Sequence, residues 1–141
     1  MMIICPLDAS HNRAGFDCGT IPLNDFLRKT ARQHRDKGLS NTFVLLDNES
    51  PADILGFFTL SFLEVDVSVL PSNYSSTLPK TSRLPAAKLA RLAVDKRWQG
   101  KGYGAILLAD AVKRIVATAA ESGGIDSHRV PVCLNLSAKS F

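Results

Sequence analysis

The sequence predicts the α/β (α+β) class, with a mixed, mostly antiparallel sheet flanked by helices. Two stretches predict it. Residues 42–46 and 54–67 are apolar runs separated by Asp47-Asn48-Glu49-Ser50-Pro51, which is the chemistry of an antiparallel hairpin, with the longer strand bent or twisted. In the longer run Phe58, Leu60 and Phe62 alternate against Phe57, Thr59, Ser61 and Leu63, so both faces are apolar and helices must cover both. The second stretch, residues 89–121, reads as strand, glycine-rich loop and amphipathic helix in immediate succession.

Taken in order, residues 2–5 are a first strand stopped by Pro6, and residues 8–19 a connecting loop. A first helix follows, with Thr20 as cap, Pro22 in the first turn, Leu23, Phe26, Leu27 and Ala31 as its apolar stripe and Gly38 as its end. Its remaining faces carry Arg28, Lys29, Arg32, Arg35 and Lys37, which would either track a phosphate backbone or form a solvated helix face. Residues 71–85 hold three prolines and four serines without a sustained period. With Lys80 and Arg83 this loop is a candidate substrate wall or a plain connector. Residues 89–94 are apolar on both faces, as in a covered strand. Asp95-Lys96-Arg97-Trp98 then carries the chain to solvent, and Ile106, Leu108, Val112, Ile115, Val116 and Ala119 are assigned to one side of a helix that starts near Gly104 and ends before Gly123-Gly124.

Glycine at positions 100, 102 and 104 removes side chains from a loop that can turn its N–H groups inward, and the adjoining helix N-terminus adds free donors and partial positive charge. Such a loop is an anion cradle. A Walker A pattern is absent. The dinucleotide fingerprint can be laid on Gly100, Gly102 and Ala105 with Glu121 as the ribose acid, but Glu121 ends a helix and too little chain remains for a doubly wound sheet. The plain alternative is a strand-to-helix turn whose glycines serve close packing.

The chain has 141 residues, 45% hydrophobic and 21% charged, an ordinary globular composition suited to a single domain spanning residues 1–141. No apolar run reaches membrane-spanning length and no basic segment precedes a long apolar one, so a cytoplasmic protein without membrane contact is expected. Cys5, Cys18 and Cys133 stand at no metal-ligand interval from His11, His34 and His128, so reduced thiols and no metal site are expected. A formal charge of +4 and a pI near 9.2 fit a polyanionic partner.

Gln99-x-x-Gly102-x-Gly104 behind a strand matches the pyrophosphate-binding motif Q/R-x-x-G-x-G/A of the GNAT superfamily of N-acetyltransferases, which bind acetyl-CoA. The wider string Arg91-Leu92-Ala93-Val94-Asp95 with Gln99-Gly100-Lys101-Gly102-Tyr103-Gly104 resembles one branch, the acetyltransferase toxins of type II toxin–antitoxin modules. Upstream, Gly15-Phe16-Asp17-Cys18-Gly19 and Leu23-Asn24-Asp25-Phe26-Leu27 are similar to the N-terminal signature of the same toxins. The resemblance implies a GNAT-like acyl-CoA N-acyltransferase fold with acetyl-CoA as cofactor. It places backbone groups of Leu92, Ala93 and Val94 beside the pantetheine arm, one N–H facing the thioester oxygen, and Gln99, Gly100, Lys101, Gly102, Tyr103 and Gly104 around the pyrophosphate. It further implies acetylation of the α-amino group of aminoacyl-tRNA, which blocks translation. The expected partners are a ribbon-helix-helix antitoxin and a second copy in a homodimer, with no direct DNA binding without the antitoxin. Arg28, Arg32, Arg35, Lys80, Arg83 and Arg91 are the candidate tRNA contacts.

The resemblance covers roughly residues 1–125, and the C-terminal part is read as incomplete, whether frameshifted, truncated or divergent. In the toxin branch a Phe-Tyr pair supplies a tyrosine as general acid for the departing thiolate. Here Ala138-Lys139-Ser140-Phe141 resembles the start of that segment and no tyrosine follows. The expectation is therefore retained cofactor binding, acetyl transfer slower by about two to four orders of magnitude, and an exposed sheet edge beside residues 89–94 that invites self-association. Tyr74, Glu64 and the Phe141 region are weak candidates for the missing acid or base. Two alternatives stand beside this reading: a non-catalytic remnant that binds acetyl-CoA or antitoxin, and an acetyltransferase for a small amine or a protein N-terminus.

Overall fold

A computed structural model describes residues 1–66, 83–121 and 132–134. Five strands form one sheet in sequence order: β1 (Met2–Pro6), β2 (Asn41–Asp47), β3 (Gly56–Asp66), β4 (Arg83–Val94) and β5 (Val132–Leu134). The first four pair antiparallel, whereas β5 runs parallel to β4. β4 is twice the expected length and begins at Arg83, inside what the sequence reads as loop. Pro85 falls where β4 has β3 as its one strand partner among the described residues, a position at which a sheet tolerates proline. A strand at Val132–Leu134 also corrects the expectation that β4 lacks a neighbour, and among the described residues the pairing runs from Ala87 to Leu89.

The register of β3 against β4 shifts between Thr59 and Leu60, which pair with Arg91 and Leu89, leaving Ala90 as an extra residue. That residue changes the phase of the strand. Ala87 and Leu89 before it, and Leu92 and Val94 after it, all enter the core under the C-terminal helix. Without the bulge Leu92 and Val94 would point to the opposite face.

Helices cover both faces. On one, α1 (Ile21–Asp25), a π-helical stretch (Phe26–Thr30) and α2 (Ala31–Asp36) follow without a break, so the predicted first helix contains one wide turn. Leu23, Phe26, Leu27 and Ala31 pack there against Val44, Leu46, Phe57 and Ala93, as the apolar stripe anticipates. On the other face α3 (Tyr103–Glu121) buries Leu107, Ala111 and Ile115 against Leu45, Phe58, Leu60 and Leu92. Ile106, Val112 and Val116, assigned to the apolar side from sequence, are exposed at 42%, 37% and 37%. Their spacing is apolar but sits too far around the helix, and the sheet takes the row through Gly104, Leu107, Ala111 and Ile115. At Gly56 the helix packs tightly on the sheet: a methyl group there would lie 2.8 Å from Leu107 Cδ1 and 2.9 Å from the Ala93 carbonyl oxygen.

Candidate functional site

β4 ends at Val94 and the chain turns through a short 3-10 turn, Lys96–Trp98, into the glycine loop and α3. Gly100 and Gly102 have φ of 78° and 86°, the left-handed region, and a Cβ on either would meet nothing within 4 Å. The first helical bond of α3 runs from Ile106 N–H to the Gly102 carbonyl (3.3 Å), which leaves the N–H groups of Tyr103, Gly104 and Ala105 without helical acceptors. Two left-handed glycines facing open space, followed by unpaired N–H groups, fit a pyrophosphate. Lys101 Nζ stands 5.4 Å above the Trp98 ring, and the Tyr103 ring lies 6.3 Å from it. These side chains form a patch beside the loop.

The Gln99 side chain is occupied elsewhere. Its Nε2 donates to the carbonyls of Cys18 and Val94, both at 2.9 Å, so it ties the loop to the protein instead of pointing at an anion. Asp95, 2% exposed, accepts the Asp17 N–H at 3.2 Å and the Arg97 N–H at 3.0 Å, and pairs with the Arg97 guanidinium. Burial pushes the Asp95 carboxyl up, but the bonds from Arg97 and from the Asp17 N–H outweigh it, and the net direction is below the ordinary aspartate value. Lys96 N–H donates to the Asp17 carbonyl at 2.8 Å. Asp17 Oδ1 in turn accepts the Asn24 amide and the Gly19 N–H, each at 2.9 Å, while Asn24 Oδ1 accepts the Cys18 N–H at 2.9 Å. The two sequence motifs, more than 60 residues apart, are thus one hydrogen-bonded body.

On the inner side of the loop, Leu92 and Val94 are buried beneath α3 and Ala93 beneath the N-terminal helices, so only their backbone can face a ligand. The parallel pairing of β5 stops at Leu89, one residue before the bulge, so on that side residues 90–94 have no strand partner among the described residues.

The candidate tRNA contacts divide. Arg28 donates to the carbonyls of Phe16 and Arg13, and Arg35 to the Leu7 carbonyl at 2.7 Å, so both hold the 7–16 loop. Arg32 is exposed and lines a cleft of about 190 Å³ with Arg13, Arg35, Asp8 and Asp36, none of them part of the glycine loop. The Arg91 guanidinium lies 3.7 Å above the Phe26 ring, and burial lowers its pKa. Arg83 begins β4 and Glu64 lies in β3 opposite Pro85. Tyr74, Lys80 and Phe141 lie outside the described residues. Among the described residues no cluster of His, Cys, Asp and Glu could hold a metal ion, and no helix is long and apolar enough to cross a membrane.

The profile of the acetyltransferase (GNAT) family matches residues 11–127. This chain belongs to the acetyltransferase (GNAT) family. It is 33% identical over 122 residues to the probable toxin TacT of Sinorhizobium fredii, covering 86% of the chain and 67% of the relative. To a tRNA-acetylating toxin of Mycobacterium tuberculosis it is 34% identical over 108 residues, covering 77% and 62%. The chain therefore spans about two thirds of the length of these curated relatives. Among solved structures, AtaT complexed with acetyl-methionyl-tRNAfMet is similar at a TM-score of 0.77 and 29% identity, over 99% of this chain and 79% of that one. A mutant AtaT toxin bound to the C-terminus of the antitoxin AtaR and acetyl-CoA matches at 0.67 and 30%, over 86% and 70%. Asp17, Asn24 and Asp95, which tie the glycine loop to the first motif, are residues that sequence reasoning does not single out. Their only sequence signal is membership of the two motifs.

Proposed function

We propose that this GNAT domain, residues 1–141, binds acetyl-CoA at residues 99–104 and acetylates the α-amino group of aminoacyl-tRNA, as a translation-blocking toxin restrained by a ribbon-helix-helix antitoxin and working as a homodimer. The observation that carries the reading is the left-handed glycine pair at the N-terminus of α3, in a chain 34% identical to a tRNA-acetylating toxin. When bound, the cofactor supplies an activated acetyl thioester. The protein's share is to bind and to place it. N–H groups of the loop and of the first turn of α3 would hold the negative pyrophosphate, and the helix end favours that charge. Backbone groups of Leu92, Ala93 and Val94, which have no strand partner on the β5 side among the described residues, would run beside the pantetheine arm and offer an N–H to the thioester oxygen. Arg91 and the exposed Lys29 and Arg32 offer cations to the tRNA, so binding falls steeply with salt.

Titration calorimetry with acetyl-CoA tests the loop. Valine at position 102 is strained at a φ of 86° and fills the open space, so Gly102→Val should abolish binding. Equal binding by both proteins overturns the assignment. Labelled acetyl-CoA offered with aminoacyl-tRNA, a small amine and a peptide N-terminus tests the acceptor. Label is expected in acetyl-aminoacyl-tRNA, and preferential labelling of either other acceptor overturns that part of the reading.

A further inference from the structure

The first motif, residues 15–27, contributes no group to the glycine loop itself, and its most specific polar residues are turned inward. Asn24 is 6% exposed and uses both ends of its amide, accepting from Cys18 N–H and donating to Asp17. That bond fixes the 17–18 backbone. Three of its groups then hold the approach to the glycine loop: the Asp17 N–H on Asp95, the Asp17 carbonyl on Lys96 N–H, and the Cys18 carbonyl on Gln99 Nε2. Lys96 Nζ adds an ion pair to Asp17 Oδ2 at 3.2 Å. Every residue from Asp95 to Gln99 except Arg97 and Trp98 is thereby bonded directly to the 17–18 turn. Gly100 follows at once with its left-handed φ.

We propose that Asp17 and Asn24 are positioning residues for the pyrophosphate loop, setting acetyl-CoA affinity through the 17–18 turn and the Gln99 amide without touching the cofactor. This rests on the reading of residues 99–104 as the cofactor loop. The physical reason is that a loop containing two left-handed glycines has little side-chain packing of its own to hold its conformation. Its N–H groups converge on an anion only if both ends are fixed. Packing of Leu107 under α3 fixes the downstream end, and the bonds to the 17–18 turn fix the upstream end. Release of the upstream end leaves the fold standing and spoils the convergence.

The experiment measures acetyl-CoA affinity by calorimetry, well below each melting temperature, for the wild type, Gly102→Val, Asp17→Ala, Asn24→Asp, Gln99→Ala and the conservative variant Asp17→Asn. Asn24→Asp sets two carboxylates against each other, and Asp17→Ala removes the acceptor of the Asn24 amide and the Gly19 N–H. Asp17→Asn keeps an oxygen for both donors and loses the charge paired with Lys96. Asp17→Ala, Asn24→Asp and Gln99→Ala, the three single variants that break the connection, should each weaken binding roughly tenfold, as loss of a supporting hydrogen bond behind a ligand group does, and Asp17→Asn should keep most of the wild-type affinity. Gln99→Ala, at a half-buried position, reads the same connection should either substitution at 17 or 24 fail to fold. If Gly102→Val loses binding while the single variants bind like the wild type, the positioning role is overturned and the cofactor loop stands. If the variants melt earlier yet keep wild-type affinity, the residues serve stability alone and the proposal fails. Equal binding by Gly102→Val removes the cofactor-loop reading and the proposal with it.

Discussion

The two faces of the sheet are held by different forces, and the glycine loop lies where they meet. Under α3 the contact is mainly one of shape: Leu107, Ala111 and Ile115 fit against Phe58, Leu60 and Leu92, Gly56 has no side chain so that Leu107 can close down on it, and Arg114 alone adds a bond to the Ile4 carbonyl and a place over the Phe43 ring among the described residues. Under α1 and α2 the apolar core around Phe16, Phe26 and Phe57 is supplemented by directed hydrogen bonds from Asp17, Asn24, Arg28 and Arg35. Packing tolerates small shifts and resists changes of volume, whereas a hydrogen-bonded turn tolerates changes of volume and resists shifts. A site that must hold N–H groups at fixed places therefore depends on both.

The sharpest break of this comparison is expected at Gly56. Alanine there meets Leu107 and the Ala93 carbonyl below 3 Å. A loss of about 1–3 kcal/mol is expected from overpacking, read as a lower urea midpoint at unchanged slope. A midpoint equal to that of the wild type would mean that shape does not govern the α3 face.

A smaller effect separates arginines that look alike in sequence. Arg28→Ala should cost about 0.5–1.5 kcal/mol, because the Phe16 and Arg13 carbonyls lose their donor. Arg32→Ala should stay within about 0.5 kcal/mol of the wild type, as exposed surface changes do. Both should weaken tRNA binding at low salt. Equal stability of the two variants would erase the distinction between an anchored and a free cation.

The smallest effect is on the acid limb. Hydrogen bonds from the Asn24 amide, then from Gly19 N–H and Lys96, hold the Asp17 carboxyl at about 2, below its ordinary 3.8. A folded-state pKa below the unfolded one contributes stability that is full above the unfolded value and is lost as pH falls through the folded one. Urea titrations at successive pH values should show the wild type losing stability from about pH 4 down to about pH 2 more steeply than Asp17→Asn. Parallel acid limbs would show that this carboxylate is not coupled to folding.

Much of the molecule was legible in the residues themselves. Alternation along β3, the turn chemistry at residues 47–51 and the glycine spacing at residues 100–104 are local signals, and the structure places a hairpin and a strand–loop–helix unit where they predict them. The N-terminal apolar stripe is buried as read, because one helix face and one sheet face leave few choices. The apolar side of α3 was not legible to the same degree. Ile106, Val112 and Val116 are as apolar as the residues that are buried, and only the position of Gly56 and the sheet selects Leu107 instead. The prolines of residues 71–85 hid the start of β4, since a proline reads as a stop until the pairing with β3 is known.

What the sequence by itself determined is the class of fold, the glycine loop and, through two motifs, the family. What only the tertiary structure decided is the use of particular polar groups. Gln99, set around the pyrophosphate by resemblance, bridges Cys18 and Val94 through its side chain; Arg28 and Arg35, legible in sequence as a phosphate track or a solvated face, bind carbonyls. Composition and spacing fix where such a side chain starts along the chain. Its partner is set by whichever unpaired carbonyl or carboxylate the fold brings within about 3 Å of it, and those partners lie up to 81 residues away in sequence.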